Sequence, residues 1–245
     1  MTALILAAGY GTRMYPLTEN TPKALLKIGE RSILDSLLDK LGAAGVQVKE
    51  IVLVSNHRFA DTFRIWFEER KPGIPWRVLD DGSTSDEDKL GSVGDLAFAL
   101  RQGRLEDDLL ILGSDNLFQE SLAGFIGFTN RKKVVTLGAV ELHSREKASL
   151  YGVLSVDVQQ RITGFAEKPK TPPSSLVSTA IYFFPRTALS LVLEYVSSTR
   201  KADTLGSFIS WLITREPVFA YRFRGEWVDI GDIASYQKAQ EIFHE

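Results

Sequence analysis

The chain of 245 residues contains no cysteine. Disulfides, thiolate catalysis, iron–sulfur clusters and cysteine zinc sites are therefore excluded. Histidine is scarce: His57, His143 and His244, with no HExxH pair, which argues against a histidine-built metal site. An excess of one charge sign is missing as well, since 29 basic and 31 acidic residues leave a formal net charge of −2. Proteins that grip a nucleic-acid polyanion show a strongly basic face, so no nucleic-acid partner is expected. No apolar run approaches the roughly 20 residues that span a bilayer, and no membrane partner is expected either. The N-terminus lacks the basic start and apolar core of a signal peptide, so the expectation is a soluble, cytoplasmic protein. What is present is ordinary for a globular chain: 44% hydrophobic and 24% charged residues. That composition can bury a core and rules out wholesale disorder.

Short aliphatic and β-branched runs predict buried strands at Ala3–Leu6, Ile51–Val54, Trp76–Leu79 and Leu109–Leu112. Helical spacing lies between them. Ile33, Leu34, Leu37, Leu38 and Leu41 fall on one helical face, with Ser32 as N-cap and Gly45 as stop. Phe59, Phe63, Trp66 and Phe67 form another face, closed by Pro72-Gly73, and a third helix is predicted from about Gly94 to Arg101. Apolar strands alternating with helices predict an α/β fold with a parallel sheet covered on both faces, which binds ligands at the carboxyl ends of its strands. After about residue 130 the pattern changes to strand-like Val134–Leu142, Gly152–Val158, Ile162–Ala166 and Leu176–Phe184. Helical spacing returns at Ala188–Tyr195 and Phe208–Ile213, then strand-like Val218–Phe223 and a helix near Ile233–Phe243 follow. No Pro- or Ser-rich linker interrupts residues 1–245, so one continuous unit is expected, with a nucleotide-type half over about 1–130 and a mixed half over about 131–245.

The first strand runs into Ala7-Ala8-Gly9-Tyr10-Gly11-Thr12-Arg13-Met14. A glycine-rich turn at this place lets backbone N–H groups approach phosphate oxygens. The dinucleotide fingerprint GxGxxG fails because Met14 stands where its last glycine belongs, and the Gly-Lys-Ser/Thr of a P-loop is absent. Instead, two glycines, Arg13 and Lys23 fall within fifteen residues of one proline-bounded loop, a set that suits a triphosphate. A plain turn with two solvated cations is the alternative. Asp115 follows the run Leu109–Leu112, so its carboxylate should emerge at the carboxyl edge; Asp229 follows another strand-like run. Two carboxylates plus triphosphate oxygens are what Mg²⁺ takes. The plainer readings are an N-cap for Asp115 and a turn residue for Asp229, while Asp232 is predicted to cap the last helix.

The string LAAGYGTRMYPLTENTPKALLKIG resembles the opening signature of nucleotidyltransferases that join a nucleoside triphosphate to a sugar 1-phosphate. The resemblance continues in order through Gly113-Ser114-Asp115-Asn116, Tyr151-Gly152-Val153, Glu167-Lys168-Pro169 and Trp227-Val228-Asp229-Ile230-Gly231, nearly the whole chain. It implies a Rossmann-like three-layer sandwich with a mostly parallel central sheet, the nucleotide in the first half and the sugar in the mixed C-terminal half. It implies chemistry of the EC 2.7.7 type: NTP plus sugar 1-phosphate giving NDP-sugar and pyrophosphate. By that resemblance Ala7, Ala8, Gly9, Gly11, Thr12 and Arg13 would line the nucleotide. Arg13 and Lys23 would neutralise its phosphates, and Asp115 and Asp229 would hold Mg²⁺ as cofactor. Lys168 would hold the sugar phosphate, Glu167 would accept its hydroxyl hydrogen bonds, and Gly152 would let the sugar approach the backbone. Thr179 lies in a run, Val177–Phe183, similar to the family's sugar-binding strand, where Ala180 replaces a usual glycine and narrows the pocket.

The largest departure is an acidic loop, Asp80–Asp88, ahead of Leu90-Gly91-Ser92-Val93-Gly94. The family reads the base here, which places Asp80 or Asp81 in the reading position with Gly94 nearby. A carboxylate accepts from amino or imide N–H groups and does not decide among uracil, thymine, cytosine and guanine. Asp86–Asp88 is expected to be a mobile, solvated stretch. Asn56-His57 is expected to cap, Trp66 and Trp76 to pack in the core, and Trp227 to wedge the final helix or, as the alternative, to stack on the sugar. The favoured substrates are dTTP or UTP with glucose 1-phosphate. A cytidylyltransferase acting on phosphocholine or inositol phosphate, or a catalytically silent nucleotide-sugar sensor, are alternatives on the same scaffold. A homo-oligomer is compatible with the pattern. The chain stops soon after Asp229, so no appended acyltransferase or β-helix domain is expected.

Overall fold

The computed structural model describes residues 1–45, 47–199 and 204–243; His244 lies outside the described residues. In chain order the elements are β1 (Thr2–Leu6), β2 (Lys27–Ile28), β3 (Arg31–Ser32), α1 (Ile33–Ala43), β4 (Glu50–Ser55), α2 (Ala60–Arg70), β5 (Trp76–Asp80) and α3 (Gly91–Gln102). They continue with β6 (Leu109–Gly113), β7 (Asn116–Phe118), α4 (Leu122–Lys132), β8 (Val135–Glu141), β9 (Gly152–Val156), β10 (Ile162–Glu167) and β11 (Leu176–Phe184). The last are α5 (Leu189–Ser198), α6 (Leu205–Leu212), β12 (Val218–Arg222), β13 (Trp227–Asp229) and α7 (Ile233–Ile242).

The central sheet runs β10-β9-β11-β6-β1-β4-β5, with β8 on β11 and β12 on β8. Strands β6, β1, β4 and β5 are parallel. Strand β11 enters antiparallel beside β6 and so inserts the second half of the chain into the first half's sheet. Side chains alternate along each strand and divide the core in two. Leu4, Val52, Val54 and Ile111 face α3, α5 and α6, whereas Ala3, Ile5, Ile51 and Leu53 face α1, α2 and α4. The result is an α/β three-layer sandwich. Among the described residues no helix is long and apolar enough to cross a membrane.

Local chemistry sets several boundaries as the sequence predicts. Ser32 caps α1 through a reciprocal box: Asp35 N–H donates to Ser32 Oγ at 3.0 Å, and Ser32 N–H to the Asp35 carboxylate at 3.1 Å. Asp232 and Ser235 make the same box at α7. Other boundaries differ. Helix α3 starts at Gly91, because that glycine takes a left-handed φ of 75° and turns the chain into the helix ahead of Gly94. Helix α4 was not predicted, since Gly124 and Gly127 weaken its propensity. It forms because Ser121 caps it and Leu122, Phe125 and Ile126 find a buried face.

A small antiparallel ribbon joins two distant parts of the chain. Strand β13 pairs with β7 so that Asp229 stands opposite Asn116, and Ile230 N–H donates to the Asp115 carbonyl at 2.9 Å. Beneath it, Met14, Leu26, Ile28, Val228, Ile230 and Ala239 form a third apolar cluster, which pins the loop after β1 to α7.

Candidate active site

The loop that leaves β1 is held at both ends. Ala7 N–H donates to the Val54 carbonyl at 2.9 Å, and the Ala8 carbonyl accepts from Asn56 Nδ2 at 3.0 Å. Asn56 also accepts from Phe59 N–H at 3.1 Å, so the capping expected of Asn56-His57 is done by Asn56. Gly11 needs its left-handed φ of 64°, and Thr18 seals the turn by donating to the Gly11 carbonyl at 2.7 Å. Gly9 is different: a Cβ there would meet nothing within 4 Å, so its backbone borders open space of the kind a phosphate can enter. Met14 is buried as the anchor while Thr12 and Arg13 stay exposed.

Lys23 Nζ donates to Asp115 Oδ2 at 2.5 Å, and Asn116 Nδ2 donates to Asp115 Oδ1 at 2.8 Å. Burial disfavours charge on Asp115, yet the Lys23 ammonium outweighs it and holds the carboxyl below the usual range. Asp229 lacks such a partner. Burial first, and the neighbouring Asp115 charge second, push it up to about 7, against the weaker pull of Lys23, Arg13 and Lys168. The Arg13 guanidinium lies over Gly231, 3.6 Å from where a Cβ there would sit. Two carboxylates that burden each other in this way fit a hard cation, which would relieve both. Among the described residues no group of three or more His, Asp or Glu side chains could hold a metal alone. Mg²⁺ suits the pair, since it takes one or two carboxylates and completes its shell with water and phosphate.

Arg13, Asp115, Gly152, Glu167, Lys168, Thr179 and Asp229 line one cavity of about 330 Å³, so the tertiary structure brings these sequence-predicted residues together. Lys168 reaches it from a left-handed bend at φ 44°, fixed by its N–H donating to the Tyr151 carbonyl at 3.0 Å. One expectation needs correction. Trp227 does not wedge the final helix: its ring meets Tyr151 edge-on at 5.1 Å and its Nε1 donates to Asn116 Oδ1 at 2.8 Å, making it a wall of the cavity. Gly152 lines the cavity and also makes room for Phe165, whose ring would lie 2.4 Å from a Cβ there. The Thr179 hydroxyl is buried without a partner among the described residues and lies toward Gly138, 2.7 Å from where a Cβ there would be.

Ala180 occupies a left-handed backbone at φ 54°, which is why a glycine suits this position. Ala180→Gly is expected to stabilise the protein by about 1 kcal/mol through relief of that strain. Urea unfolding midpoints of the two proteins check it.

At the end of β5, His57 Nδ1 and the Asp80 carboxylate pair at 2.7 Å, and Gly82 N–H donates to Asp80 at 2.9 Å. His57 is raised by that carboxylate. Asp81 turns inward and accepts from Ser83 N–H and Oγ, both at 2.7 Å. The stretch Asp86–Asp88 is solvated as expected, with Glu87 and Asp88 exposed, and it is also tied by hydrogen bonds within its own turn. Asp88 accepts from the N–H groups of Thr84 at 3.1 Å and Ser85 at 2.8 Å, and these bonds hold its carboxyl at about 2. Gly94 sits inside α3 against Leu90, where a Cβ would come within 2.8 Å, so Gly91 is the turn glycine of this segment. Tyr10 is a loop-fixing residue that the sequence reading missed, and its hydroxyl donates to the Ser83 carbonyl at 2.9 Å. The glycine loop could have pointed to Tyr10, since a tyrosine between two glycines must put its ring somewhere.

A family model described as nucleotidyl transferase matches residues 2–245. The chain is 30% identical over 236 residues to the bifunctional protein GlmU of Methanococcus aeolicus, covering 94% of this chain and 51% of that protein. It is 27% identical to a UTP–glucose-1-phosphate uridylyltransferase of Synechocystis, covering 98% of this chain and 62% of the relative. The chain thus spans about half to three-fifths of these relatives. A solved UDP-glucose pyrophosphorylase complexed with UDP-glucose superposes with a TM-score of 0.82 at 17% identity, over 99% of this chain and 98% of the other, which carries the fold.

Proposed function

Because the chain belongs to the nucleotidyl transferase family, we propose that it joins a nucleoside triphosphate to a sugar 1-phosphate, forming an NDP-sugar and pyrophosphate. The observation that carries this reading is the Lys23–Asp115 pair with Asp229 and Arg13 at one end of a cavity that Glu167 and Lys168 also line. A phosphate oxygen of the sugar 1-phosphate forms the new bond to the α-phosphorus, and the bond from that phosphorus to the bridging oxygen of pyrophosphate breaks. The attacking oxygen is already anionic, so no general base is required. Positioning and charge neutralisation then supply the catalysis. Arg13, Lys23 and the backbone around Gly9 would receive the triphosphate, and Lys168 would place the acceptor phosphate. Asp115 and Asp229 would hold Mg²⁺, which when bound neutralises charge on the phosphate oxygens.

The favoured pair is dTTP or UTP with glucose 1-phosphate, supported for UTP by the Synechocystis relative's name. The test is pyrophosphate release with Mg²⁺, scanning dTTP, UTP, CTP and GTP against glucose, mannose and N-acetylglucosamine 1-phosphates and phosphocholine. One productive sugar-phosphate pair is expected. No release from any pair by a protein that binds nucleotide would overturn the reading. Lys168→Met should raise KM for the sugar phosphate by about 10- to 100-fold, the worth of a charged hydrogen bond, while nucleotide affinity stays unchanged. Steady-state kinetics with each substrate varied in turn separates the two.

A further inference from the structure

We propose that Asp95 keeps its proton and donates it to Asp81, and that this hydrogen bond holds α3 against the loop closing the base end of the nucleotide site. Asp95 would then be a positioning residue for nucleotide binding. The inference rests on the proposed reaction for the identity of its ligand.

Asp95 lies in α3 and is only 6% exposed, an unusual place for a carboxyl, and among the described residues no cation acts on it. Its side chain is within hydrogen-bonding reach of Asp81. One oxygen on each, Asp81 Oδ2 and Asp95 Oδ1, is buried with no donor among the described residues. Two facing carboxylates in that state would be costly twice over, for lost solvation and for repulsion. A proton kept on Asp95 removes one of the two charges and gives Asp81 a donor.

From Asp81 the contact passes on through Ser83, which donates to Asp81 Oδ1 from its N–H and its Oγ. The Ser83 carbonyl in turn accepts from His57 N–H at 3.0 Å and from the Tyr10 hydroxyl at 2.9 Å, and Tyr10 stands between Gly9 and Gly11. A path of buried polar contacts therefore links α3 to the glycine loop across the far end of β5. Other devices hold this loop from outside, such as Asp88 on Thr84 and Ser85. The Asp95 proton adds a side-chain tie to the helix that this loop enters at Gly91.

Burial, then the charge and hydrogen bond of Asp81, push Asp95 up to about 8. Tyr10 faces the same cluster from the glycine loop, with Asp88 and Arg58 acting on it from beyond. Tyr10 is itself raised by burial and stays neutral. The folded value of Asp95 lies above that of a free carboxyl, so the tie is complete at low pH and is lost as pH rises through about 8. Above that, two buried carboxylates repel and the base end loosens.

Two measurements test this. The first is calorimetric affinity for Mg²⁺-dTTP and Mg²⁺-UTP at pH 7 and pH 9. Affinity of the unaltered protein should fall about tenfold, since only the protonated form keeps the tie. Asp95→Asn presents a permanent N–H donor to Asp81 and should show no fall; should it fail to fold, Asp81→Asn places the donor on the other side and serves instead. The second is an NMR titration of aspartate carboxyl carbons without nucleotide, in which a carboxyl besides that of Asp229 should titrate far above the usual carboxylate range and vanish from the Asp95→Asn spectrum. A pH-independent affinity in the unaltered protein, an undiminished fall in the variant, or no such carboxyl would each overturn the proposal. If neither nucleotide binds at any pH, the reaction reading fails, and the NMR titration still decides the proton.

Discussion

Asp115→Asn should lower pyrophosphate release at saturating Mg²⁺ by about a thousandfold or more, with the fold retained. The substitution keeps the shape of the side chain and an oxygen able to accept from Asn116 Nδ2. It removes the negative charge that faces Lys23 and that would, with Asp229, engage the cation. A thousandfold is about 4 kcal/mol of transition-state stabilisation, within the range lost when a preorganised charge is deleted from an active site. The backbone contact that carries the ribbon, Ile230 N–H to the Asp115 carbonyl, does not depend on the side chain. Turnover assays beside thermal melts check the pair of statements. Normal release by a well-folded variant would remove Asp115 from the catalytic set.

Lys23→Met is expected to cut kcat by about a hundredfold and weaken nucleotide binding together, because one cation serves both Asp115 and the triphosphate. Without it, Asp115 loses what holds its carboxyl low, and two buried carboxyls face each other unrelieved. Stability should also fall, by about 1–3 kcal/mol, the cost of stranding one member of a largely buried pair, discounted because Asp115 retains some contact with water. Lys23→Arg should restore only part of the activity, since a planar fork does not replace a compact ammonium at 2.5 Å. Initial rates and urea unfolding on the three proteins test this; full activity in Lys23→Met would place the triphosphate elsewhere.

The sequence by itself determined those features whose causes lie within a few residues. Leu4, Val52 and Ile111 announce buried strands by their apolar runs, and Ser32 and Asp232 announce helix starts, because a cap needs only the next three residues. The ordered motifs Ala7–Met14, Gly113–Asn116, Glu167–Pro169 and Trp227–Gly231 carried the family. What only the tertiary structure decided depends on partners far along the chain. The β7–β13 register sets Asp229 opposite Asn116 and so makes two distant aspartates one site. Phe165 occupies the space at Gly152, and Tyr151 turns Trp227 into a cavity wall. Asp81 lies against Asp95 rather than outward, and the exposed Asp88 binds the N–H groups of Thr84 and Ser85, contacts that local charge alone does not announce. Register and burial are properties of packing between segments, and no window of neighbouring residues contains the energies that choose among them.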